Sequence, residues 1–226
     1  MWPPTADALV HAQRKLAALS PPPWRPSSAG PLLSACHVCF ARRASERGGI
    51  GELGWAAAVL MRDGRLIESA AAAGVVGAPY EPGKLALREG PLLEAAVRAL
   101  SEPPELLIVH ATGRDHPRGA GLALHLGAVL DLPSIGVTDR PLAATGVLPP
   151  ADRGATSRLL ADGVEVARML RTRAGARPVV VHAGWRTDLD TAISIALAAT
   201  LDFRTPEPLR CARRLARHVR TAAESR

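Results

Sequence analysis

Apolar and polar positions alternate along the chain in two periods, and the switches between them predict the order of elements. Thr5 to Leu19 carries apolar residues at helical spacing, and the Pro-rich run Pro21 to Pro26 then forces an extended connector, because proline lacks an amide donor and restrains its neighbour. Leu32 to Phe40 is short, apolar and rich in strand formers, and the Arg/Gly-containing turn Arg42 to Gly51 follows it. Trp55 to Met61 and Leu66 to Ala72 flank Asp63-Gly64, the dipeptide that supplies the positive φ angles of a tight hairpin. Helical spacing returns from Pro91 to Leu100 until Pro103-Pro104 stops it, and Leu106 to Val109 reads as a buried strand. The same pair repeats in Gly121 to Leu130 and Ser134 to Val137. A second hairpin is expected from Val164 to His182 around Ala174-Gly175, and helices over Leu189 to Leu201 and Pro208 to Ala222 close the chain.

Three antiparallel strands followed by strand-helix alternation predict an α/β fold of ribonuclease H-like order. Its sheet would be central and mixed, antiparallel hairpin strands first and parallel strands after, flanked by helices. The expectation is one domain over residues 1–226, with 1–30 forming the N-terminal helix and Pro-rich connector.

Composition adds boundaries to that picture. The 226 residues are 47% hydrophobic, enough for a sizeable core, and no apolar run approaches the ~20 residues of a membrane helix. No membrane partner and a cytoplasmic location are expected. Three cysteines, Cys36, Cys39 and Cys211, do not describe a disulfide framework. The net charge of +7 attracts phosphate and is carried almost wholly by arginine, with Lys15 and Lys84 as the only lysines.

Polar residues gather where predicted strands end, the usual place for a site in an open α/β sheet. They are His37 and Cys39 on the first strand, Glu89 before the first core helix, His110 and His116 around the end of the next strand, and Asp139 after the following one. Alternate side chains share a strand face, so His37 and Cys39 project together and Cys36 projects oppositely.

Six separated motifs occur in order: Pro79-Tyr80-Glu81-Pro82-Gly83, Leu87-Arg88-Glu89-Gly90, His116-Pro117-Arg118, Gly121 to Gly127, Leu132 to Val137 and Pro206-Glu207-Pro208. From about Leu33 to Ala216 the chain resembles the endonuclease V family. The resemblance implies a ribonuclease H-like fold and a magnesium enzyme that recognises deaminated purines, chiefly inosine, in DNA or RNA and cuts the second phosphodiester on the 3′ side. It implies a wedge at Tyr80 beside the extruded base, with Pro82, Gly83, Gly113, Arg118 and Trp185 as further substrate-binding positions.

The chain departs from the family at its chemistry. Where the family has Gly-Val-Asp-Val-Ser, this chain has Ala35-Cys36-His37-Val38-Cys39, and a second metal-binding Asp is His110 in His110-Ala111-Thr112-Gly113. The catalytic Lys of Gly-Val-x-Lys is Asp139, and Gly-His-Arg is Gly184-Trp185-Arg186, while Glu89 and His116 are retained. Magnesium wants oxygen ligands, whereas two imidazoles and a carboxylate suit Fe, Mn, Zn or Co. The expected centre is therefore a divalent transition metal in preference to Mg, held by His37, Glu89 and His110, with Glu89, His116 and Asp139 as catalytic candidates.

Three functions remain open on this reading. One is inosine-directed cleavage of nucleic acid by a rebuilt His/His/Glu centre. Another is a non-nuclease metalloenzyme, a two-His, one-carboxylate iron centre acting on a nucleoside-like or other small molecule. The third is an inactive nucleic-acid-binding relative. Blander roles compete at single residues: His125 as a packing residue, His11 and His218 at the surface, His182 buried beside the site and Cys39 as a small buried residue. Tyr80 could equally be a packed loop aromatic. Arg210, Arg213, Arg214 and Arg217 read as a solvated helix face, with nucleic-acid contact the second reading.

Overall fold

A computed structural model describes residues 2–26, 30–42 and 48–225. The elements run α1 (Ala6–Ala18), β1 (Leu33–Phe40), β2 (Leu53–Arg62), β3 (Arg65–Val75), α2 (Leu85–Arg98), β4 (Leu106–Val109), α3 (Leu122–Leu130), β5 (Ser134–Thr138), β6 (Thr156–Ala161), β7 (Val164–Leu170), β8 (Val179–Ala183), α4 (Leu189–Ala198) and α5 (Glu207–Glu224). The turn expected over Arg42 to Gly51 falls partly on 43–47, outside the described residues.

Eight strands form one mixed sheet in the order β3-β2-β1-β4-β5-β8-β7-β6. The first five keep the ribonuclease H-like order: β1 and β2, and β2 and β3, pair antiparallel, while β1, β4 and β5 run parallel. Asp63 and Gly64 both adopt positive φ, as the tight β2–β3 hairpin requires. The sheet does not end in parallel strands, because β8 returns antiparallel to β5, and β7 and β6 extend it further. The sequence reading anticipated the β7–β8 hairpin and missed β6, although Asp162-Gly163 turns β6 into β7 with the same pair of positive φ angles. The exposed face of β6 gave too little apolar alternation to mark it as a strand.

Helices cover both faces. Buried residues of α1, α2 and α3 pack with Cys36, Val38, Leu107 and Val109 on one side. Those of α4 and α5 pack with Ala35, Ile108, Ile135 and Val137 on the other. Helix α2 begins six residues before the expected start, and Pro91 sits inside it. The cost of an interior proline is carried by Leu92, Leu93, Ala96 and Val97, which bury the helix against the sheet. Glu89 is consequently a helical residue. Among the described residues no helix is long and apolar enough to cross a membrane.

Candidate functional site

The parallel register pairs Cys36 with Val109, so the next residues along, His37 and His110, stand side by side on the α5 face. Their ring centroids are 6.2 Å apart and the rings are tilted by 51°. Burial first, then the neighbouring His110 imidazole and the guanidinium groups of Arg213 and Arg217, press the His37 pKa down to about 4. Burial and the charges of Arg213 and Arg204 lower that of His110. Both rings are neutral near pH 7. Asp139 ends 4.0 Å from His110 Nε2 and is ion-paired with Arg204.

Two clefts open beside this pair. The first, about 460 Å³, is lined by His37, His110, Asp139 and five arginines: Arg204, Arg210, Arg213, Arg214 and Arg217. Of the α5 arginines read as a solvated face, Arg213, Arg214 and Arg217 are exposed and Arg210 is half-buried, and all four line one wall of this cleft. The second, about 320 Å³ and mostly apolar, shares His110 and Thr138 with the first. Its walls include Tyr80, Pro82, Gly83, Leu85, Ala111, Thr112, His116, Leu122 and Leu142. Tyr80 stands at the rim, 62% exposed.

The floor of the second cleft is braced from behind. The Gly83 carbonyl accepts from His116 Nε2 at 3.0 Å, from Arg118 Nη2 at 2.5 Å and from Gln13 Nε2 of α1 at 3.3 Å. Asp115, buried and absent from the sequence-derived candidates, accepts the backbone N–H groups of Leu142, Ala143 and Ala144, each at 2.8 Å, which fixes the opposite wall. Arg118 therefore acts through Gly83 and does not face the cleft.

Other candidates lie elsewhere. Glu89 lines a third cleft with Phe40, Tyr80 and Arg220, and burial raises its pKa to about 7 against the lowering effect of Arg88. Gly113 is packed against β8, where a Cβ would stand 2.1 Å from the Ala183 carbonyl oxygen, so a backbone crossing and not a ligand requires glycine. Trp185 follows β8, which runs antiparallel to β5, and its backbone pairs with Ser134 at the start of β5. The sheet therefore separates it from Asp139 by the length of β5, which corrects its placement in the pocket. His182 is fully buried and meets Thr138 Oγ1 through Nε2 at 3.0 Å. Cys39 donates its thiol to the Ala216 carbonyl at 3.2 Å, and His125 stacks on Trp2 at 4.8 Å between ring centroids. Both fulfil the packing reading, and His11 and His218 are exposed.

A divalent metal is what the resemblance implied, and the residues present do not fit one. His37 and His110 line one cleft with the α5 arginines, while Glu89, on α2, lines another with Phe40, Tyr80 and Arg220. Among the described residues no group of three His, Cys, Asp or Glu side chains is placed to hold a metal ion. The surrounding charge is cationic and opposes one. The His37, Glu89 and His110 triad is thus not assembled, and the iron-centre reading that needs it loses its geometry.

The Endonuclease V family profile matches residues 35–214. The Endonuclease V of Streptomyces avermitilis is 45% identical over 166 residues, which are 73% of this chain and 72% of that protein. The crystal structure of the Streptomyces avermitilis enzyme superposes with a TM-score of 0.86 at 36% identity, covering 99% of this chain and 96% of that one. A crystal structure of Ciona intestinalis Endonuclease V in complex with a DNA containing an inosine followed by a ribo-adenosine has the same fold, with a TM-score of 0.79 at 17% identity over 96% of this chain and 98% of that one. The profile covers well over half of the chain and the Streptomyces avermitilis relative is matched over 73% of it, so the chain belongs to the endonuclease V family.

Proposed function

We propose that the protein binds a nucleic-acid strand carrying a deaminated purine, draws that base into the apolar cleft and hydrolyses the strand beside it. The observation that carries this reading is the sharing of His110 and Thr138 by an apolar cleft of about 320 Å³ and an arginine-lined one. An extruded nucleotide needs that pairing: an apolar slot for the base, and cations close by for the phosphates that flank it. Tyr80, exposed at the rim beside Pro82, is placed to occupy the gap that the base leaves in the stack. The DNA held by the Ciona intestinalis relative contains an inosine, which supports the same substrate class here.

For the chemistry, arginine charge offsets the negative charge that develops on the phosphate oxygens. The imidazoles of His37 and His110 and the Asp139 carboxylate are the groups within the arginine-lined cleft able to accept a proton from water, with Arg204 holding Asp139 beside His110. Glu89, titrating near neutrality beside Tyr80, is a second proton-transfer candidate. Magnesium does not suit this donor set, in which the two imidazoles are joined by a single carboxylate, Asp139, already ion-paired with Arg204.

The test compares two fluorescent single-stranded DNAs, identical except for one inosine in place of guanosine, by anisotropy and by denaturing gel. The expected result is tighter binding and a nick with the inosine strand, both weakened in Tyr80→Ala. Selective binding without a nick in any of Mg, Mn, Co or chelator would reduce the protein to a binder. Equal affinity for the two strands would overturn the reading.

A further inference from the structure

Helix α5 places Arg210, Arg213, Arg214 and Arg217 at spacings of three and four residues, one stripe along one face. Like charges at that spacing destabilise a helix, so the stripe works against the fold unless something negative covers it. Glu207 accounts for part of it, pairing with Arg210 at 2.9 Å and Arg214 at 3.6 Å. Arg204 is paired with Asp139. Arg213 and Arg217 have no carboxylate within ion-pair distance among the described residues, and the acidic side chain Asp139 is the only one lining their cleft. They line the same cleft as His37 and His110.

The cleft thus sets two imidazoles and one carboxylate, itself ion-paired with Arg204, beside two guanidinium groups without carboxylate partners, so a phosphate entering it is attracted by arginine directly.

We propose that the cleft between α5 and the ends of β1, β4 and β5 is a phosphate site that works without a metal, in which Arg213 and Arg217 bind the nucleic-acid backbone directly. The proposal rests on the nucleic-acid reading above and deepens it by naming what replaces the divalent cation. It concerns binding, and the inosine preference belongs to the other cleft.

The experiment measures binding of the inosine-containing and guanosine-containing DNA strands in excess chelator, over a range of salt, for wild type, Arg213→Ala/Arg217→Ala and Arg213→Lys/Arg217→Lys. Wild-type affinity should be unchanged by chelator. The alanine pair should bind both strands roughly tenfold more weakly, with the log–log salt slope reduced by about 1.4, as expected for two lost contacts to a single strand. The lysine pair, which keeps the charge, should recover most of the loss, and circular dichroism melts should show the alanine pair folded. Binding that disappears in chelator and returns with Mg or Mn would overturn the proposal while leaving the inosine reading intact, as would a stoichiometric bound metal lost in His37→Ala. Chelator-insensitive, arginine-dependent binding with no inosine preference would support this phosphate site and overturn the inosine reading.

Discussion

His116 spends both ring nitrogens on the backbone: Nε2 donates to the Gly83 carbonyl at 3.0 Å, and Nδ1 accepts from the Arg118 amide at 3.1 Å. The ring is therefore neutral with its proton on Nε2, and burial lowers its pKa in agreement. It positions the wall of the base-sized cleft and has no nitrogen free for a phosphate. His116→Ala is expected to weaken binding of the inosine strand about tenfold and to cost about 1–2 kcal/mol in urea unfolding. Unchanged affinity with abolished turnover would instead return His116 to proton transfer.

Arg88 and Glu52 are buried and ion-paired, and Arg88 also donates to the carbonyls of Gly49 and Ala78 at 3.0 Å. The Gly48 carbonyl in turn accepts the Tyr80 amide at 2.6 Å, so this network sets the rim of the cleft. Arg88→Met leaves the Glu52 carboxylate buried without its partner, and a loss of about 3–5 kcal/mol is expected in urea unfolding. Arg88→Met/Glu52→Leu should recover most of it, because no uncompensated charge remains.

Stability should fall in mild acid. His37, His125 and His182 are held neutral chiefly by burial, with pKa values of about 4 against 6.5 when unfolded. Their contribution is complete above pH 6.5 and is lost as pH falls from 6.5 towards 4, because the unfolded chain takes up the protons first. Urea midpoints measured across that window should drop. His182→Gln should lessen the drop by about 2 kcal/mol, its ring being fully buried.

Glu89 carries the opposite sign. Its pKa rises from 4.5 to about 7 on folding, so the folded state binds the proton more tightly and stability falls as pH climbs between those values. The penalty is complete above about pH 7. Glu89→Gln removes it, and the variant should be more stable than wild type at pH 8 by about 2 kcal/mol, allowing for the solvent that reaches a half-buried carboxyl. The two should converge near pH 4.5, as thermal melts at the two pH values would show.

Trp185 offers a negative control. Its indole N–H donates to Asp131 at 3.2 Å, beyond the end of the sheet opposite the clefts. Trp185→Phe should change the melting temperature by a few degrees and leave affinity for the inosine strand unaltered. A severalfold loss of affinity would show that the strand reaches around the sheet.

Local chemistry and periodicity determined most of the secondary structure from sequence. Asp63-Gly64 made a hairpin because both residues accept positive φ, and the apolar runs of β4 and β5 needed no context to read as buried strands. Strand alternation also put His37 and Cys39 on one face. Helix α2 was legible only from Pro91 onward, because a proline rule weighs local cost and cannot see the packing that overrides it. The family resemblance lay in contiguous motifs, which sequence preserves.

What faces what was decided by the tertiary structure. Three-residue spacing announced the arginine stripe of α5, but only the packing of that helix across β1 turned it towards His37 and His110. Glu89 and the two histidines were grouped as one ligand set by the resemblance, and the fold gives Glu89 a different cleft from the one that His37 and His110 line together. Trp185 looked like a pocket residue until the antiparallel return of β8 carried it to the far edge. Periodicity is a property of neighbours in the chain, whereas a site is made by residues distant in sequence, whose placement follows from strand direction and the burial of whole helices.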